Sequence, residues 1–107
     1  MALDTEQIYN QLIQAGDAWA DAEAAASVLE ETKKSVLAKL MNEAAHSSIA
    51  GKEMQALADG EYKTFVENMV RARKAATKAK VRYDSAKVLA ELRRSEESTR
   101  RAEITMR

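Results

Sequence analysis

Residues 8–40 read IYNQLIQAGDAWADAEAAASVLEETKKSVLAKL. Their apolar positions step in alternating fours and threes from Ile8 through Leu12, Ala15, Trp19, Ala22, Ala26 and Leu29 to Val36 and Leu40, interrupted once by Lys33. Positions three and four apart share one helix face, so this spacing predicts a helix with a single apolar seam. Kept up for more than four heptads, it predicts a coiled-coil-like helix of roughly 40 residues, about 60 Å long at 1.5 Å per residue. A rod of that length does not wall a compact globule. Lys33 on the seam either fixes register at some cost in stability or lets its aliphatic stem snorkel to solvent. The start is set at Asp4 or Thr5, because Asp4 followed three residues later by Gln7 has capping-box spacing.

The seam is small in volume. Ala15, Ala22 and Ala26 lie on it, with Ala18, Ala24 and Ala25 beside it, so a partner helix can approach near the lower end of the usual ~8–10 Å separation. Gly16 costs about 1 kcal/mol against alanine in a helix interior and makes room for a neighbour near Trp19. From Asn42 to Gly60 the long period breaks, and Ser47-Ser48, Gly51 and Asp59-Gly60 supply cap and turn chemistry. Ile49, Met54 and Leu57 among polar residues predict a short helix inside this connector. From Glu61 a second seam runs through Tyr62, Phe65, Met69, Ala72, Ala76, Ala79, Tyr83, Ala86 and Ala90. Past Leu92 apolar residues thin to Ala102, Ile104 and Met106, and fraying is expected beyond Ser95.

The expected fold is therefore all-α, a single domain over 1–107 forming an antiparallel helical hairpin. A long helix covers about 5–45, a connector with a short helix 46–60, a second long helix 61–96 and a frayed charged tail 97–107. Two helices alone bury too little apolar surface to offset the ordering of the chain, at roughly 1–2 kcal/mol per residue. Two-fold assembly into a four-helix bundle, as a homodimer or higher homo-oligomer, supplies the missing contact. The apolar side chains off the seams, Val28, Leu37, Val66, Val70, Val81, Val88 and Leu89, are its candidate surface, and Trp19 is a further candidate interface residue.

Composition supports an all-helical chain and excludes other classes. The 107 residues include no proline, no cysteine and three glycines, which removes disulfide scaffolds and proline-rich or collagen-like chains. The longest apolar runs are far short of the ~20 residues that cross a bilayer, and the N-terminal residues lack the pattern of a secretory signal. No membrane association and a cytoplasmic site of action are expected. Seventeen acidic groups balance 17 basic ones, but unevenly along the chain. Residues 1–45 carry three basic and eight acidic groups, net −5; residues 46–70 are net −2; residues 71–107 carry twelve basic and five acidic groups, net +7. An acidic first helix packed on a basic last helix accounts for this asymmetry. Phosphate contact by the basic helix is the alternative.

Little in the sequence points to catalysis. His46 is the one histidine, placed at the end of the first helix where it can cap carbonyls or face solvent. Without cysteine or a second histidine the usual zinc sites are unavailable. Glu30-Glu31 and Glu96-Glu97 are adjacent pairs, whose side chains diverge by about 100° around a helix. No phosphate-binding glycine loop or nucleophile motif occurs. No enzymatic activity and no cofactor or metal are expected. Trp19, Tyr62, Phe65 and Tyr83 fall on seams, which favours core packing over base stacking. In the basic region Arg71, Lys74, Lys78 and Arg82 step along one face, followed by Arg93 and Arg94, and these six are the candidate nucleic-acid contacts.

Ala22-Glu23-Ala24 through Leu29-Glu30 and Lys33-Lys34, Ser48-Ile49-Ala50-Gly51-Lys52-Glu53 with Glu61-Tyr62, and Ala90-Glu91-Leu92-Arg93-Arg94 resemble small helical-hairpin proteins of phage and prophage early regions, often near recombination or replication genes. The likeness covers most of the chain through degenerate motifs. It departs at Leu92, where an aromatic residue is expected beside the late arginines. It implies an accessory protein in a bacterial host cell, acting by self-association and contact with phage or host proteins, with nucleic-acid binding as the alternative. Small secreted helical hairpins with a W-x-G turn do not fit, since Trp19 is followed by Ala20-Asp21 inside the first helix.

Overall fold

The computed structural model describes residues 4–106. Three helices follow in chain order, α1 (Thr5–Glu43), α2 (Ile49–Leu57) and α3 (Gly60–Met106), with no strand among the described residues. The start of α1 uses the capping spacing: the Asp4 backbone N–H donates to Gln7 Oε1 at 3.3 Å, and Ile8 N–H closes the first turn on the Asp4 carbonyl. Helix α1 stops at Glu43, two residues before the expected end, where Ala44 N–H bonds the Met41 carbonyl at 3.2 Å in a tightened last turn.

Ser48 caps α2 from an extended backbone, its hydroxyl accepting the Gly51 N–H at 3.0 Å. Asp59 caps α3, accepting the Glu61 N–H at 2.8 Å through Oδ1, while its carbonyl receives Lys63 N–H. Gly51 has a packing reason as well. A Cβ there would lie 2.1 Å from Nδ1 of His46, so the absent side chain leaves room for the imidazole, which stays exposed beyond the end of α1.

Helices α1 and α3 pack against each other as an antiparallel hairpin, as the two seams predict. The contacts gather into two compact units. One joins the N-terminal part of α1, up to Asp21, to α3 from Thr77 onward. Ile8, Ala79 and Ala90 are buried there, with Leu12, Ala15, Trp19, Tyr83 and Ala86 half-covered. The other is Ala22–Ala76, with Ala26, Leu40, Ala56 and Ala76 buried. Of the seam positions read from the sequence, Lys33 is the one left exposed, its ammonium in water.

The tail departs from expectation. Rather than fraying beyond Ser95, α3 runs to Met106. No proline or glycine follows Gly60, and the charges are spaced to support a helix: Arg93 faces Glu96 and Glu97 at i+3 and i+4. Every residue from Ser98 to Met106 is nevertheless exposed.

Candidate functional site

In the Ala22–Ala76 unit the strongest polar feature is a clasp across the hairpin. Glu23 and Glu30, one heptad apart on α1, both point at Arg73 of α3. Its Nη1 lies 2.6 Å from Glu23 Oε2, and its Nη2 and Nε lie 2.6 and 3.0 Å from the two oxygens of Glu30. The paired fork is the strongest geometry available to an exposed ion pair. The hydrogen bonds from Arg73 hold the Glu30 carboxyl below its ordinary value of 4.5, and those from Glu30 and Glu23 raise the guanidinium further. A second, looser pair, Lys39 with Glu61 at 3.3 Å, lies near the connector.

The depressed Glu30 carboxyl sets a sign for pH dependence. Its folded value is below the unfolded one, so its contribution is fully present above the unfolded carboxylate value and is lost as pH falls through the lower, folded value. Urea unfolding of the parent chain and of Arg73→Gln is expected to differ clearly at pH 7, and the difference is expected to shrink progressively as pH falls below the ordinary carboxylate range. A difference that persists unchanged in acid would mean that Arg73 acts by packing of its stem.

In the other unit, Trp19 and Tyr83 stack with centroids 5.3 Å apart and planes at 30°, and Lys80 Nζ lies 5.9 Å from the indole centroid. The neighbour for which Gly16 leaves room is Tyr83, since a Cβ there would approach Tyr83 Cε2 to 3.3 Å. Farther along, Thr5 donates its hydroxyl to Glu97 Oε1 at 2.8 Å. Arg93 Nε, which is buried, lies 3.5 Å from the same oxygen, an ion-pair contact without hydrogen-bond geometry. Glu97 therefore turns inward, toward α1, whereas Glu96 remains exposed.

The candidate residues distribute between these interior contacts and the open surface. Trp19 is committed to Tyr83, and Leu37 and Val66 are half-covered. Val28, Val70, Val81 and Val88 are more than half exposed, and Leu89 also faces solvent. Of the candidate cations, Arg71 and Lys74 are exposed in the Ala22–Ala76 unit, and Lys78, Arg82 and Arg94 in the other. Arg93 is the least available, its side chain 21% exposed and directed at Glu96 and Glu97.

Outside these contacts, α3 carries an open apolar row. Val81, Ser85, Val88, Leu92 and Ser95 step in fours and threes on the side of α3 away from its own seam, and all are exposed. Shallow grooves follow the row, one lined by Val81, Asp84, Ser85 and Val88, the next running from Leu92 and Ser95 to Glu103. Among the described residues no group of three or more His, Asp or Glu side chains is placed to hold a metal ion, and no helix is long and apolar enough to cross a membrane.

Sequence reasoning singled out Val81 and Val88 but missed the continuous row and the Arg73 clasp. Both had a signal. Glu23 and Glu30 each follow a seam position by one residue, the flanking place from which coiled-coil ion pairs form, and Arg73 stands in the same relation to Ala72. No family model, no curated protein and no solved structure matches the chain.

Proposed function

We propose that this chain is a non-enzymatic helical-hairpin protein that works by self-association and protein–protein contact. The observation that carries the proposal is the exposed row from Val81 through Val88 and Leu92 on α3. Isolated surface valines are ordinary, but apolar residues repeated at coiled-coil spacing on the outer face of a helix form a second seam that another helix can cover. The alanine-rich inner seam buries small side chains and gives modest stabilisation per residue, so a second contact has an energetic purpose. A homodimer completing four helices is the simplest such assembly. On the resemblance described above, its setting is an accessory role in a phage or prophage region, acting in the cytoplasm of the bacterial host with a phage or host protein as further partner.

A second reading, nucleic-acid binding, is favoured by the exposed Arg71, Lys74, Lys78, Arg82 and Arg94. Light-scattering mass separates the two when measured with and without mixed-sequence duplex and single-stranded DNA at ~50 and ~200 mM salt. Self-association predicts at least a dimer whose mass changes little with salt or DNA. Phosphate binding predicts a DNA-dependent mass increase at low salt that weakens by orders of magnitude at high salt. A monomer under every condition would contradict the self-association proposal.

A further inference from the structure

We infer that the outer row of α3 pairs with the same row of a second copy, antiparallel and in one register, with Leu92 opposite the second copy's Ser95. This rests on the self-association proposed above and adds its surface, orientation and register. The flanking charges decide among the possible arrangements. On one flank of the row stand Arg82, Leu89, Glu96 and Glu103; on the other stand Asp84, Glu91, Ser98 and Thr105.

In antiparallel pairing each flank meets its own counterpart. With Leu92 facing the second copy's Ser95, Arg82 meets the second copy's Glu103, and the two-fold axis repeats that pair. Glu91 then meets Ser98, Asp84 meets Thr105, and no like charges oppose each other on either flank. A shift by one heptad in either direction sets a glutamate against its own copy, Glu91 on Glu91 or Glu96 on Glu96. Parallel pairing brings Glu91 of one helix beside Glu96 of the other, twice. One arrangement therefore has two favourable pairs and no repulsive one; the shift that opposes Glu91 with Glu91 keeps two Arg82–Glu96 pairs but adds that repulsion, and the other two alternatives have a repulsive contact and no favourable pair.

The same register accounts for the far end of α3. From Ser98 to Met106 every residue is exposed, with Met106 of the outer row at 87%. A solitary stretch of two or three helical turns is marginal in water. In the pairing described, Val88, Ser85 and Val81 of one copy cover Thr99, Ala102 and Met106 of the other, so each helix end lies on its partner.

The test is a charge swap read by sedimentation equilibrium. Arg82→Glu and Glu103→Arg each replace two attractive contacts with two repulsive ones and are expected to weaken the dimer by roughly tenfold, whereas the double variant recovers the parent affinity. Both positions are exposed in the single chain, and circular dichroism checks that helix content is unchanged. A nitroxide on Lys87→Cys adds the orientation: the labels should lie about 20 Å apart along the axis in the antiparallel register and side by side in a parallel one. A dimer indifferent to both single swaps, or not restored by the double variant, overturns this pairing while leaving self-association standing. A chain that stays monomeric removes both.

Discussion

Ala26→Leu is expected to lower the unfolding midpoint of the chain by on the order of 10 °C. Ala26 has no exposed surface, and it sits between Glu23 and Glu30, the two carboxylates that clasp Arg73 of the facing helix. A methyl group suffices to fill that place, so α3 passes close by. Three added carbon atoms must push the helices apart, strain a rotamer, or both. Overpacking of this kind costs about 1–3 kcal/mol, and in a domain of this size each kcal/mol moves the midpoint by about 4–8 °C. Separation at Ala26 would also stretch the short ion pairs on either side, which places the expected cost at the upper end. Ala24→Leu is the control, since it adds the same atoms on an exposed position of the same helix and should leave the midpoint nearly unchanged. Equal effects of the two would mean that volume at the seam does not govern stability.

The hairpin was legible because its determinants are local and periodic. A seam of threes and fours marks the buried face without knowledge of the partner, and it identified Ile8, Ala26, Leu40, Ala76, Ala79 and Ala90, all of which are buried. The caps were legible for the same reason: Gln7, Ser48 and Asp59 lie within three residues of the backbone N–H groups they accept from. Three features were not. The charged tail reads as a fraying end by its scarcity of apolar residues, yet Arg93, Glu96 and Glu97 support each other along the helix, and composition alone does not show that. The Arg73 clasp depends on which flanking position of α3 meets which of α1, a matter of register between two seams that periodicity leaves open. The outer row of α3 is diluted by serines and a threonine, so its valines and Leu92 look like scattered surface residues until the inner face is fixed. Trp19 reads from its spacing as a seam residue and was also a candidate interface residue; it stacks on Tyr83.

Leu92→Glu is expected to produce the largest loss of association. Leu92 is 56% exposed, and a glutamate there meets solvent in the single chain without disturbing Ala90 or Arg93 on the inner side. In the proposed pairing, however, it introduces two carboxylates near the centre of an apolar seam. Leaving a charge unpaired in such a place costs several kcal/mol or forces the seam open. About 3 kcal/mol, roughly a hundredfold in Kd, is a conservative expectation. Val28→Glu carries the same change to an exposed valine on α1 and should leave the mass distribution as it is in the parent. If Val28→Glu dissociates the assembly and Leu92→Glu does not, the contact lies on the other unit's surface.

Amide hydrogen exchange across Ser98–Met106, followed as a function of protein concentration, tests the account most directly. This end of α3 is exposed in the single chain and is covered in the pairing, so its protection reports the contact itself. The account predicts amides that exchange rapidly at dilution, become protected as concentration rises, and stay unprotected at all concentrations in Leu92→Glu. Rapid exchange in the parent chain at every concentration, at protein levels where its mass is that of a dimer, would contradict it.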